Sequence, residues 1–198
     1  MNNYSALFQA EGEEIIKLGQ SISEEDFTHL LKIIEKNTNN VFLTGCGTSA
    51  MAARKATHTL NVAGISAFYL NPSDAVHGGL GQVKKGDTVI FISKGGSTKE
   101  LTSFDQNVKE KQAKIVTVTE NVDSILAKNA DLVVKVKVER ELDEFNMLAT
   151  TSTLAVISLF DVIATILMKD ENFTKRAFLL NHPSGKVGQR LAKDVRND

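Results

Sequence analysis

From residue 40 onward, five short apolar runs, at 41–43, 67–70, 89–92, 115–118 and 132–138, alternate with stretches of helical spacing such as Leu101, Phe104 and Val108. Each run is too short for a helix, and most are apolar on both faces, the pattern of strands buried on both sides of a parallel sheet. Parallel neighbours need crossover connections, and these are right-handed and usually helical. The repeated alternation therefore specifies an α/β fold, an open, doubly wound, three-layer αβα sandwich. A chain of 198 residues fits one such domain, 1–198, with core enough to fold without metals or disulfides.

Helices flank this core on both sides. Tyr4, Leu7, Phe8, Ile15, Leu18 and Ile22 recur at steps of three, four and seven, which makes one apolar helix face. Ser23 and Asp26 resemble a capping box ahead of a second helix carrying Phe27, Leu30, Leu31 and Ile34. The last sixth of the chain returns to helical spacing. The apolar stretch 154–168 is too short for a bilayer, and Ser158, Asp161 and Thr165 give it one polar stripe. It reads as a core or subunit-interface helix.

Charge excludes several classes of partner. The 23 Lys and Arg nearly cancel the 24 Asp and Glu, so no global field attracts nucleic acid or an anionic membrane. An anionic ligand must be held locally. Cys46 is the only cysteine and the four histidines lie far apart, so no disulfide or metal spacing exists. The start of the chain has neither a basic nor an apolar signal region, and a cytoplasmic location is expected.

In open α/β sheets, ligands sit beyond the carboxyl ends of the strands. Two such segments stand out. Thr44-Gly45-Cys46-Gly47-Thr48-Ser49-Ala50 follows the first run, and Ser93-Lys94-Gly95-Gly96-Ser97-Thr98 follows the third. Each then enters a helix. Glycines let the backbone approach an anion, hydroxyls donate to it, and the N–H groups of a helix N-terminus favour phosphate. Gly47, Thr48, Ser49, Ser93, Gly96, Ser97 and Thr98 are accordingly candidate phosphate-binding residues. A dinucleotide cofactor would also use a Gly-x-Gly turn, but it expects a carboxylate after the second strand, where 68–71 reads Phe-Tyr-Leu-Asn. No Gly-Lys-Ser/Thr sequence supports a nucleotide triphosphate site. Ionisable loop residues cluster at 74–79, 139–144 and 181–185, where, taken singly, a bonded structural histidine or a solvated acidic loop is a commoner reading than a catalytic one.

Taken together, these segments resemble the sugar isomerase (SIS) family, and within it the arabinose 5-phosphate isomerases. The matching pieces are Gly45-x-Gly47-x-Ser49, Ala75-Val76-His77-Gly78-Gly79-Leu80-Gly81, Ile92-Ser93-x-x-Gly96-x-Thr98-x-Glu100, Thr150-Thr151-Ser152-Thr153 and His182-Pro183-x-Gly185, in that order over nearly the whole chain. The resemblance implies a five-stranded parallel sheet, a phosphosugar bound at the Ser/Thr loops, and a homodimer or homotetramer. By motif, the residues implicated in catalysis fall on Glu141 and His182. The chain departs from these isomerases at Thr48, where they usually carry Lys, and at Ser97, where they usually carry Glu. At 198 residues, the chain is expected to lack the CBS pair that many relatives append.

Aldose–ketose isomerisation moves a proton between C1 and C2 through an enediol, which takes one base and one donor to the carbonyl. Glu141 as base, with His77 or His182 as donor or ring opener, would meet that need without a metal or organic cofactor. The rival expectation is a phosphosugar sensor, which keeps the hydroxyl loops and needs no base.

Overall fold

A computed structural model describes residues 3–35, 39–169 and 173–197. Met1, Asn2 and Asp198, which enter the reading of the chain ends, lie outside the described residues. Helices α1 (Tyr4–Ser21) and α2 (Glu24–Glu35) lead into the first strand, β1 (Val41–Gly45). At the start of α2, the Ser23 Oγ accepts the Asp26 N–H at 3.1 Å, so the cap expected there forms. There follow α3 (Thr48–Val62), β2 (Ala67–Tyr69), α4 (Pro72–Ala75), a 3₁₀ turn at Gly79–Gln82 and β3 (Thr88–Ile92). The chain continues through α5 (Lys99–Thr102), α6 (Asp105–Glu110), β4 (Lys114–Thr119), α7 (Ile125–Asn129) and β5 (Leu132–Lys135). It ends with α8 (Thr151–Leu167), α9 (Lys175–Asn181) and α10 (Gly185–Asn197).

All five strands are parallel, in the order β2-β1-β3-β4-β5. Alternate side chains feed opposite layers. Val41, Leu43, Ile90, Ile92, Val116 and Val118 pack with α1, α2, α3 and α8. Phe42, Val89, Phe91 and Ile115 pack with Leu70, Leu101, Phe104, Val108 and Leu126 from the α4 to α7 side. The result is the three-layer sandwich that the alternating runs specify. The order reverses between β1 and β3, the switch point where chains of this topology open a crevice.

The segment expected as one helix through Leu101, Phe104 and Val108 is two. Phe104 leaves helical geometry with φ −137°, and Asp105, buried, accepts the Asn129 Nδ2 of α7 at 2.7 Å. The run expected over 132–138 pairs as a strand only to Lys135, apart from the Val136 N–H donating to Thr119 O at 2.9 Å. Val134, Val136 and Val138 still face the core in alternation, while Lys135 and Lys137 stay exposed on this edge.

The apolar stretch at 154–168 forms most of α8, whose Ala155, Leu159, Phe160, Ile163 and Ala164 are buried. Opposite them α3 presents Ala52, Ala53 and Ala56, small enough for close helix packing, and Lys55 forms an ion pair with Asp161. Among the described residues, no helix is long and apolar enough to cross a membrane.

Candidate active site

The two Ser/Thr loops leave neighbouring strands, β1 and β3, at the switch point. The first is shaped by Gly45: a Cβ there would stand 2.9 Å from the backbone C and O of Ser49. Only a glycine lets β1 turn into α3 this sharply. Gly47, at φ 57°, caps α3, so the unpaired N–H groups of its first turn and the Thr48 and Ser49 hydroxyls stand together at the end of a 15-residue helix.

The second loop is braced from within. The Ser93 and Thr98 hydroxyls are 3.0 Å apart, and the Ser93 Oγ accepts the Gly96 N–H at 3.1 Å. Ser93 is buried, so it holds the turn rather than facing ligand. The Lys94 carbonyl accepts the Thr119 Oγ1 hydroxyl at 2.9 Å and the Glu120 N–H at 3.0 Å, which ties the loop to the end of β4. Since α5 has a single turn, its dipole adds little, and an anion on this side would have to be held by hydroxyls and backbone N–H groups.

A cavity lies between these loops and α8. Thr48, Ser49, Lys94, Thr119, Glu120, Ser152 and Thr153 supply its polar wall; Ile92, Val118, Val136 and Val156 supply much of its apolar wall. Gly96, Ser97 and Thr98 stand in the loop behind Lys94 and do not line it.

Glu141 lies on the segment between β5 and α8. Its side chain is only 1% exposed. Oε2 accepts the Thr150 N–H at 3.0 Å, the Thr150 hydroxyl at 3.2 Å and the Ser152 N–H at 3.1 Å, all at the N-terminus of α8. Oε1 accepts the Lys94 ammonium at 2.7 Å. Burial pushes the Glu141 pKa up, but Lys94 and the Ser152 and Thr150 donors outweigh it and hold the carboxyl at about 2. From α1, buried Glu14 accepts the Glu139 N–H at 2.6 Å and the Lys17 ammonium at 2.8 Å, anchoring the backbone two residues before Glu141.

The two histidines stand elsewhere. His77 is exposed on the turn after α4 and does not line the cavity. His182 ends α9, edge-on to Phe178, with a buried Nδ1 that has no hydrogen-bond partner among the described residues. The adjacent Asn181 donates to Val62 O at the far end of α3. An α-helix of 15 residues runs roughly 20 Å, and that length separates His182 from the cavity within one chain. Lys94 is the residue that sequence reasoning passed over: nothing in a glycine-rich turn marks a lysine as the partner of a carboxylate 47 positions away.

The SIS domain profile matches residues 33–166, and the chain belongs to the SIS domain family. It is 34% identical over 200 residues to the arabinose 5-phosphate isomerase KdsD of Francisella tularensis subsp. tularensis, and 32% identical over 185 residues to KpsF of Escherichia coli. These alignments cover 100% and 93% of this chain but 61% and 58% of those proteins, so the chain spans little more than half the length of these relatives. Among solved structures, a candidate sugar-phosphate isomerase of Listeria monocytogenes superposes with a TM-score of 0.89 at 43% identity, covering 92% of this chain and 96% of that one. The E. coli CFT073 protein c3406, solved in complex with arabinose 5-phosphate, superposes at 0.86 with 30% identity, covering 92% and 100%.

Proposed function

We propose that this chain is a phosphosugar aldose–ketose isomerase of the cytoplasm that works through an enediol, with arabinose 5-phosphate the first substrate to test. The observation that carries it is a buried carboxylate, Glu141, ion-paired to the Lys94 that lines a cavity at the switch point, beside the N-terminus of α3. The substrate class comes from the relatives. The phosphate is held by the α3 N-terminus with Ser49 and Thr48, and this remote grip orients the reacting carbons. Glu141 takes the C2 proton, the C–H electron pair becomes the C1–C2 double bond and the C1 carbonyl oxygen takes up a proton to give the enediol. The O2 hydroxyl then gives up its proton as C2=O forms, and C1 receives the proton held by Glu141.

The test is proton NMR of arabinose 5-phosphate in deuterated solvent. Loss of the C2 proton signal and appearance of the 2-ketose phosphate are expected; neither appearing, while the sugar phosphate still binds, would remove the isomerase reading. Replacing Ser49 by Ala is expected to weaken binding about tenfold by calorimetry, the scale of one hydrogen bond to a charged group. An unchanged affinity would take the phosphate away from α3.

One observation favours a second reading, a phosphosugar-binding module without turnover. Glu141 accepts from four donors and has a pKa of about 2, which makes it a weak base as it stands.

A homo-oligomer belongs to the proposal. Most apolar surface of α8 is consumed within the chain, but Tyr4, Phe8 and Ile16 on α1 and Phe145, Met147 and Leu148 beside the Glu141 segment are more than 60% exposed. These patches suit a second copy of the chain. His182 takes part in catalysis only if such a copy brings it to the cavity. Light scattering at micromolar concentration should give at least a dimer mass; a monomer mass would count against both points.

A further inference from the structure

The cavity and the carboxylate do not meet directly. Among the described residues lining the cavity, Lys94 is the one cation and Glu120 the one anion. The Lys94 side chain is 45% exposed, against 1% for Glu141. A dianionic ligand entering this space encounters the ammonium first. The oxygens of Glu141 are also unequal: Oε2 holds three donors from the α8 terminus, whereas Oε1 has Lys94. Were the ammonium withdrawn, the carboxylate would keep its position through Oε2 and leave Oε1 open where the ammonium had stood. The withdrawal needs no backbone motion, because the Lys94 carbonyl is fixed by Thr119 and Glu120 while its four-carbon stem can turn.

We propose that Lys94 is a substrate-contacting residue: its ammonium, which rests on Glu141 Oε1, moves to the oxygens of a sugar phosphate when one binds, uncovering Oε1 as the proton acceptor. The inference rests on the phosphosugar reading and makes that reading more specific. It also answers the weakness of Glu141 as a base, since the charge that depresses its basicity is the one the ligand removes. A molecule without oxyanions or a polarised carbonyl would leave the pair closed. The site would thus discriminate by requiring its ligand to compete with a carboxylate.

The test compares two proteins that both lack the carboxylate. Arabinose 5-phosphate is titrated calorimetrically into wild type, Glu141→Gln, and Glu141→Gln combined with Lys94→Met. With no anion to hold it, Lys94 is free for the ligand, so Glu141→Gln should bind as tightly as wild type or up to about tenfold tighter. The double variant should bind roughly 10- to 100-fold more weakly than Glu141→Gln, the range for losing a charge-assisted hydrogen bond. Equal affinity of the single and double variants would overturn the proposal and leave the phosphosugar site standing. Binding weakened tenfold or more in Glu141→Gln alone would overturn it too, since the ligand would then touch Glu141 with Lys94 in place. No binding by wild type would overturn the phosphosugar reading and this proposal with it. A measurement on wild type decides the matter even where the double variant does not fold. The Glu141 ¹³Cδ resonance, assigned by its loss in Glu141→Gln, should shift when arabinose 5-phosphate saturates the protein, and an unmoved resonance would refute the exchange of partners.

Discussion

Glu141→Gln should abolish exchange of the C2 proton of arabinose 5-phosphate with deuterated solvent, by about 10²- to 10⁴-fold, the contribution typical of a positioned general base. Binding persists, because the groups assigned to the phosphate lie on other loops. The amide keeps the shape of the side chain, and its oxygen can still accept from the Thr150 and Ser152 N–H groups. The Lys94 ammonium loses its partner but can turn to water, so the stability loss stays near 1–2 kcal/mol, below the cost of stranding a buried charge. Exchange in the variant within tenfold of wild type would show that the base lies elsewhere and that Glu141 only positions Lys94.

The largest structural effect is expected from Gly96→Ala. Gly96 has φ 65°, and a Cβ there would stand 2.0 Å from the Ser124 Oγ and 2.5 Å from the Ser124 Cβ. Ser124 cannot simply turn away, because its hydroxyl caps α7 by accepting the Ala127 N–H at 3.3 Å. The Gly96 carbonyl meanwhile accepts the Leu126 N–H at 3.0 Å, so the loop is pinned to the same helix. Left-handed backbone costs an alanine about 1–2 kcal/mol and the overlap about 1–3 more. For a chain of this size the melting temperature should fall on the order of 10 °C. The displaced loop carries Ser93 and Lys94, so affinity for arabinose 5-phosphate should drop more than tenfold as well. Adding Ser124→Gly removes the overlap and should recover part of the loss but not the backbone part. A melting temperature within 2 °C of wild type for Gly96→Ala would mean that this turn is not held as described.

The fold is legible in the sequence because its signals are local. The apolar runs at 41–43, 89–92 and 115–118 are buried on both faces, and they sit where β1, β3 and β4 form. The misreadings fall where a local pattern continues after its partner ends. Val136 and Val138 keep the alternation of a strand although pairing of β5 stops at Lys135, and Leu101, Phe104 and Val108 keep helical spacing across a break that lets Asp105 reach α7. The site is legible in its backbone and not in its side-chain partners. Glycine and hydroxyl residues at strand ends locate the two loops, since turn geometry is written in a few adjacent residues. That Lys94 meets Glu141, or that His77 and His182 stand away from the cavity of their own chain, depends on packing between elements far apart in sequence.

The margins of the sheet carry a further consequence. β2 is three residues long, and β5 ends beside two outward lysines, Lys135 and Lys137. Unpaired strand edges recruit other strands, and natural sheets blunt them by shortening the edge or setting lysine on it. Both margins here are blunted in that way, so the sheet is terminated on either side and resists growth by backbone pairing with another molecule. A contact between copies would thereby fall on side-chain surfaces of helices and loops, where it could close into a discrete particle instead of propagating as a fibre.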